Sequence, residues 1–469
     1  MNSNEITDKK LIVWDNPNKP PIDKLVLLWN GHNVEKNQIS ILNELEKNSG
    51  QLRSDYLKII FELGKIKILG KEITEHLKVD TGLSLWWMTL VAEKSIERTK
   101  VPFDSLRLLA LNKFLLKNKP SSIELFTKSK KLSNAINKLC AFHNIKYKKN
   151  YEKSRIKPYT INKVWRILPY LIRVPIFLII YSFKKWPLRK SLRKNWIGGD
   201  NSIFFFSYFV HLDKKSLKNG KFYSFQWQKL PLLLRKKGIK TNWIHHFIPN
   251  PLTPNSTSAS KTLNKIYDSS NKLEAHNFLE SFLTIKILIN SIFNWFIFYI
   301  KFLFINIIIQ KTINKEKYNY LWSFIEQDWK NSTSGINAIE NILYVNMIKN
   351  FISKIPKMKI GLYLCENQGW EKAFIYYWKK FGHGKIIGVP HSSIRYWDLR
   401  YFNHPEVFEK RGEFNLPLPD QFAINSKFAW KAIKNASQPM QKMVRVEPLR
   451  FLHLEDIKRN KSDNNILIL

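Results

Sequence analysis

Short apolar runs closed by turn residues alternate with amphipathic segments along much of this chain, and that alternation leaves few folds open. In the C-terminal half, KIGLYLCEN (Lys359 to Asn367) reads as a buried strand and GWEKAFIYYWKKFG as an amphipathic helix ending at Gly382. KIIGVPH (Lys385 to His391) and DQFAIN (Asp420 to Asn425) read as the next strands, and SKFAWKAIKN as a helix capped by Ser426. Upstream, IFFFSYFVHL (Ile203 to Leu212) and TNWIHHF (Thr241 to Phe247) read as strands around a helix from Gln226 to Lys237. Successive strand, helix and strand require a crossover between parallel strands, so a doubly wound parallel sheet is expected. PNPLTPNSTSAS reads as a mobile loop, and Tyr318 to Ile352 as one long helical stretch.

The first 150 residues read as a separate α/β unit. LIVW (Leu11 to Trp14) and LVLLW (Leu25 to Trp29) are short apolar runs bounded by Pro17, Pro20, Pro21 and Gly31. Tyr56, Ile59, Ile60 and Leu63 recur at helical spacing before Gly64, which reads as a C-cap, and SLWWMTLVAEKS (Ser84 to Ser95) as a buried helix.

Composition sets the surroundings. Across 469 residues, 77 Lys and Arg stand against 37 Asp and Glu, a formal charge of +40 that points to anionic neighbours. An A/T-rich codon bias gives much of the same Lys excess without any partner. With 44% hydrophobic and 14% aromatic residues the chain is too apolar for a disordered polycation. Its two cysteines, Cys140 and Cys365, exclude a disulfide framework. MNSNEITDKK carries no apolar stretch behind its charges, so no secretory signal is read there and a cytoplasmic location is expected. Basic segments alternate with apolar runs rather than with stacking aromatics, so no nucleic-acid partner is expected.

Two segments address a membrane surface. Between Tyr147 and Gly199, PYLIRVPIFLIIYSF lies between basic flanks that include Trp186 and Arg189; it is too short to cross a bilayer, which takes about twenty residues, and reads as interfacial. The second, Phe282 to Lys311, is uncharged from Ile287 to Ile300 and interrupted by Lys301. A spanning helix, a monotopic helix or helical hairpin lying in the cytoplasmic leaflet and a core helix all fit; the leaflet form is expected, with Lys286, Lys301 and Trp295 at headgroup depth and anionic lipids as partners.

The chemistry concentrates at two strand ends. Glu366, Asn367 and Gln368 follow one strand, His391, Ser392 and Ser393 the next, and in open α/β sheets ligands bind beyond the carboxyl ends of strands. A helix starting near Gly369 would aim backbone N–H groups at that crevice and suit a phosphate or a carboxylate. His391, Glu366 and Glu371 are the candidate catalytic groups; Arg395, Arg400, Asp398, Ser392 and Gln368 are the candidate substrate contacts. A structural ion pair of Asp398 with Arg400 or Arg395, and Glu371 as a mere complement to the helix dipole, are the competing readings. His245 and His246 alternate faces of one strand and cannot share a metal; His211 with Asp213, and Asn30 to His32, end other apolar runs and border possible clefts. No P-loop, G-x-G-x-x-G, G-x-S-x-G, H-E-x-x-H or D-x-D pattern occurs.

CENQGWEKAFIYYWKKFGHGKIIGVPHSSIRYWDLRYF, with SLWWMTLVAEKS, resembles the bacterial surface carbohydrate biosynthesis proteins of O-antigen clusters. The resemblance implies a GT-B glycosyltransferase architecture of two Rossmann-like domains that transfers sugar from a nucleotide sugar to a lipid-linked saccharide acceptor. It also implies no metal or other cofactor, since helix dipoles and basic groups such as His391 and Arg395 meet the donor diphosphate. Under it, the chain divides into an N-terminal α/β domain (1–150), a basic membrane-proximal segment (151–200), a Rossmann-like domain (201–280 and 315–462), a membrane-associated helical insertion (281–314) and the opening strand of a truncated donor domain (463–469). The expected activity is a glycosyltransferase of surface polysaccharide assembly at the inner membrane, the alternative a catalytically incomplete accessory or scaffold protein there.

Overall fold

A computed structural model describes residues 10–32, 34–150, 165, 167–192, 196–199, 202–268, 273–390, 394–409, 413–435, 439 and 442–449. The chain is α/β and forms two compact units, one of residues 1–177, 290–342 and 397–416, the other of 178–289, 343–396 and 417–469. Residues 315–342 and 397–416, assigned on sequence to the second α/β domain, pack with the first unit. The terminal strand expected over 463–469 lies outside the described residues.

The first unit holds a five-stranded, wholly parallel sheet of β1 (Lys10–Asp15), β2 (Val26–Leu28), β3 (Gln38–Ser40), β4 (Ser122–Thr127) and β5 (Lys146–Asn150), in the order β3-β2-β1-β4-β5. Both apolar runs expected as strands are β1 and β2. The helical spacing around Tyr56 belongs to the Ser49–Lys65 helix, but Gly64 sits inside that helix rather than capping it. A Cβ on Gly64 would stand 2.9 Å from the Trp86 ring, so close approach explains the glycine. SLWWMTLVAEKS is not one helix: Leu85–Met88 is a 3₁₀ turn, Thr89 is extended and caps Leu90–Glu93 through its hydroxyl, and Lys94 takes a left-handed conformation.

The second unit holds a seven-stranded parallel sheet of β6 (Ser202–Phe209), β7 (Lys240–Phe247), β8 (Glu274–Phe278), β9 (Ile360–Leu364), β10 (Lys385–Val389), β11 (Gln421–Ile424) and β12 (Met443–Arg445), in the order β8-β7-β6-β9-β10-β11-β12. Both sheets therefore wind outward from a first strand in one direction and then from its other side, the Rossmann-like pattern. Phe204 and Phe206 of β6 pack on Phe351 and Phe374, while Phe205 on the other face stacks on Trp243 at 4.0 Å. Burial on both faces is why β6 reads as an unbroken apolar run. In β9, a Cβ on Gly361 would meet the Trp378 ring at 2.7 Å.

Three further segments differ from their sequence reading. Ser256, inside the expected loop, begins a helix that runs to Asp268. Gln226–Lys237 is helical only from Leu230 to Lys236, starting with Pro231 in its first turn, where a missing N–H costs nothing. Tyr318–Ile352 is divided at Gly335 into the Trp322–Ser334 and Ile336–Ile352 helices; a Cβ there would clash with Tyr170 and Asn331.

The Ile285–Ile313 helix is long and apolar enough to cross a membrane. Within the first unit it has two unlike faces. Trp295, Phe298, Phe302, Ile305 and Ile309 are buried, whereas Phe293, Phe296, Ile297, Ile300, Phe304 and Ile307 are exposed. Polar bonds fasten the buried side: Trp295 Nε1 donates to the Ser334 carbonyl (3.0 Å), Lys301 Nζ to that of His76 (2.6 Å), Trp329 Nε1 to Asn306 Oδ1 (2.8 Å) and Trp322 Nε1 to Gln310 Oε1 (2.8 Å). The Tyr170–Lys185 helix likewise exposes Leu171, Ile172, Ile176, Ile179, Ile180 and Phe183.

Candidate active site

In a sheet wound in this order the crevice opens where the winding reverses, beyond the carboxyl ends of its two central strands. In the second unit these are β6 and β9, paired in parallel from Ile203 with Ile360 to Phe206 with Tyr363. The segment after β9 is Cys365–Glu366–Asn367–Gln368, followed by the Gly369–Lys380 helix. The segment after β6 runs through His211, which takes φ +53°, to Asp213, whose carboxylate accepts from Ser216 N at 2.6 Å and caps a short helix.

Three of the expected residues meet here. Glu371 turns back from the first helical turn, its Oε1 accepting from the backbone N–H of Glu366 (2.9 Å) and Gln368 (3.0 Å), its Oε2 from that of Asn367 (3.0 Å). Asn367 adopts φ +55°, which aims these N–H groups inward, and its side chain accepts from Lys372 Nζ at 3.0 Å. The half-buried Glu366 carboxylate accepts from Gln368 Nε2. Burial pushes the Glu371 carboxyl up to about 7, against the pull of Lys372 and of its backbone donors. Glu371 has no exposed surface, so it shapes the loop rather than touching a ligand. The N–H groups of Glu366, Asn367 and Gln368, just ahead of the helix, are thus taken by this internal carboxyl group.

The structure adds Tyr208, which the strand pattern did not single out, and gives His246 its surroundings. Tyr208, at the end of β6, accepts from Trp370 Nε1 at 3.2 Å; burial and the neighbouring Glu366 and Glu371 raise its hydroxyl well above the usual phenol range. His246 of β7 packs on Phe206, Tyr208, Trp370 and Tyr344, and its Nε2 has no hydrogen-bond partner among the described residues. Burial, reinforced by Lys185, lowers its imidazole to about 3, so it is neutral. His245 points to the opposite face, into a buried chain: His245 Nε2 to His276 Nδ1 (3.1 Å), His276 Nε2 to Glu274 Oε2 (3.2 Å), and Arg235 Nη2 to Glu274 Oε1 (2.6 Å). The two histidines thus serve different faces, as their alternation requires.

His391 and Ser392 lie outside the described residues. Arg395 is exposed on the segment that follows β10. Asp398 and Arg400 belong to the first unit, buried together in a two-point ion pair of Nε to Oδ1 (2.8 Å) and Nη2 to Oδ2 (2.7 Å). That pairing satisfies both groups and matches the structural reading. Of the membrane candidates, Lys286 is exposed and Arg189 lies over the ring of the partly exposed Trp186 at 4.1 Å. Trp295, only 1% exposed, and Lys301, bonded to His76, turn toward protein instead of headgroups.

The first unit has its own winding reversal, between β1 and β4. There Asp15 Oδ2 accepts from Thr127 Oγ1 and Oδ1 from Asn30 Nδ2, both at 2.6 Å. Asp104 lies near enough for Asp15 to act on it: its carboxyl is raised first by burial, opposed by Arg107 and Lys100, and helped by Asp15. Asn30 was legible as a cleft residue; the two aspartates carried no pattern that marked them. Elsewhere in this unit SLWWMTLVAEKS contributes Trp86 and Trp87 to a pocket of about 430 Å³, shared with Phe61, Glu72, Glu406 and Phe414.

No protein-family model, curated protein or solved structure matches this chain.

Proposed function

We propose that the protein is a membrane-associated glycosyltransferase of GT-B type in surface polysaccharide (O-antigen or lipopolysaccharide) assembly. It transfers a sugar from a nucleotide sugar to a lipid-linked acceptor at the cytoplasmic face of the inner membrane. The observation that carries this reading is the polar cluster of Tyr208, Glu366 and Gln368 at the winding reversal of a seven-stranded parallel sheet. This is where such sheets hold nucleotide ligands. Glu366 offers an acceptor for sugar hydroxyls, and Arg395, with His391, supplies positive charge for the departing diphosphate. The carboxylates at the first unit's reversal suit a hydroxyl-bearing acceptor. The exposed rows of the Tyr170–Lys185 and Ile285–Ile313 helices support residence in the leaflet surface.

A second reading, an accessory protein without transferase activity, is favoured by the Glu371 carboxyl group occupying the backbone N–H groups of Glu366, Asn367 and Gln368 at the strand end. Purified full-length chain in lipid nanodiscs, given labelled nucleotide sugars and a lipid extract, separates the two. Transfer that is lost in H391A and R395A, with unchanged unfolding curves, is expected; undiminished transfer removes both residues from the site. No binding of any nucleotide sugar by equilibrium dialysis selects the accessory role.

A further inference from the structure

The end of the Ile285–Ile313 helix borders a groove that the proposed transfer does not use. It measures about 650 Å³ and runs between the Lys130–Phe142 and Trp322–Ser334 helices. One helix contributes Lys130, Lys131, Asn134 and Lys138 from a single face; the other contributes Glu326, Gln327 and Lys330, spaced as neighbours on a helix surface. Gln310 closes one end. Four lysines stand against one glutamate, and that glutamate is already paired with Lys330 at 2.6 Å. Amide groups between ammonium groups offer acceptors for hydroxyls beside donors for an anion, a combination suited to a phosphodiester that carries a polyol.

Position narrows the source of that phosphate. Gln310 sits one turn beyond Ile307 and two beyond Phe304, which is 67% exposed, so the groove begins where the apolar row ends. Exposed Lys311 and Lys315 follow immediately. We propose that this groove seats the phosphate headgroup of an anionic phospholipid while the adjacent apolar row lies among the acyl chains. The assignment rests on the membrane reading of that helix. The same chemistry fits free inorganic phosphate, which the test separates.

Full-length protein is sedimented with vesicles of phosphatidylcholine alone and of phosphatidylcholine with phosphatidylglycerol, as wild type, as K130Q/K138Q/K330Q and as the charge-matched control K36Q/K113Q/K117Q. The expected result is unchanged partitioning of all three on neutral vesicles, and a loss of about tenfold or more on anionic vesicles for the groove variant alone. Equal losses in groove variant and control mean diffuse surface charge and overturn the site. Saturable binding of inorganic phosphate by wild type without preference for anionic vesicles overturns the lipid source. Absence of binding to neutral vesicles by wild type overturns the membrane reading of the helix and with it the placing of the apolar row among acyl chains, and a groove-specific preference for anionic vesicles then upholds the phosphate contact alone.

Discussion

Trp370 Nε1 donates to Tyr208 Oη at 3.2 Å, tying the helix that follows β9 to the end of β6 across the reversal of strand order. Phe206 and His246 pack on the same indole, so the bond holds the floor of the crevice in one arrangement.

Tyr208→Phe removes the acceptor and leaves a buried indole N–H unpaired. The expected cost is about 1–3 kcal/mol in unfolding free energy, measured by urea denaturation. Tyr208→Phe combined with Trp370→Phe removes both partners and costs less than the sum of the two single changes.

Glu371→Gln replaces an oxygen that accepts backbone N–H groups by an NH₂ group that cannot accept, and is expected to lower stability by about 1–3 kcal/mol near pH 5, where the wild-type group is the neutral acid. The sign of its pH dependence follows from burial. The carboxyl is raised from its ordinary value to about 7, so its contribution is full below the ordinary carboxylate range and is lost as pH rises through 7. Denaturation at pH 5 and pH 8 should show the wild type losing ground to Glu371→Gln as pH rises.

On the Ile285–Ile313 helix the two faces should respond differently. Phe293→Glu with Phe304→Glu, both on exposed positions, is expected to abolish vesicle flotation and leave the thermal unfolding midpoint almost unchanged. Trp295→Ala, which opens a cavity and orphans the Ser334 carbonyl, is expected to cost about 3–5 kcal/mol and to lower the midpoint before any membrane assay is run.

Gly361→Ala places a methyl 2.7 Å from the Trp378 ring in the middle of β9. The expected destabilisation is about 1–3 kcal/mol, with partial recovery in Gly361→Ala/Trp378→Phe, read from denaturant midpoints.

How much was legible follows from what each segment buries. IFFFSYF and KIGLYL read as strands because a parallel sheet covered on both faces needs unbroken apolar runs. EAHNF did not: β8 buries Glu274 and His276, whose polarity is satisfied by Arg235 and His245, partners that no local pattern announces. STSAS, the end of PNPLTPNSTSAS, looked like a loop by composition, yet Ala259, Leu263 and Ile266 give the Ser256–Asp268 segment a buried helical face. At the site, the spacing of Glu366 and Gln368 after a strand was readable. The inward turn of Glu371 was not, because it depends on the positive φ of Asn367 bringing three amides onto one carboxylate.

The division of the chain into units has one more outcome. The backbone passes from one unit to the other five times, at 177/178, 289/290, 342/343, 396/397 and 416/417. No single cut in the gene therefore yields either sheet with all its covering helices. Each unit must also wait for segments more than a hundred positions away before it is complete, so loop closure has to precede much of the stabilising burial and slow maturation from the ribosome is built into the order of the segments.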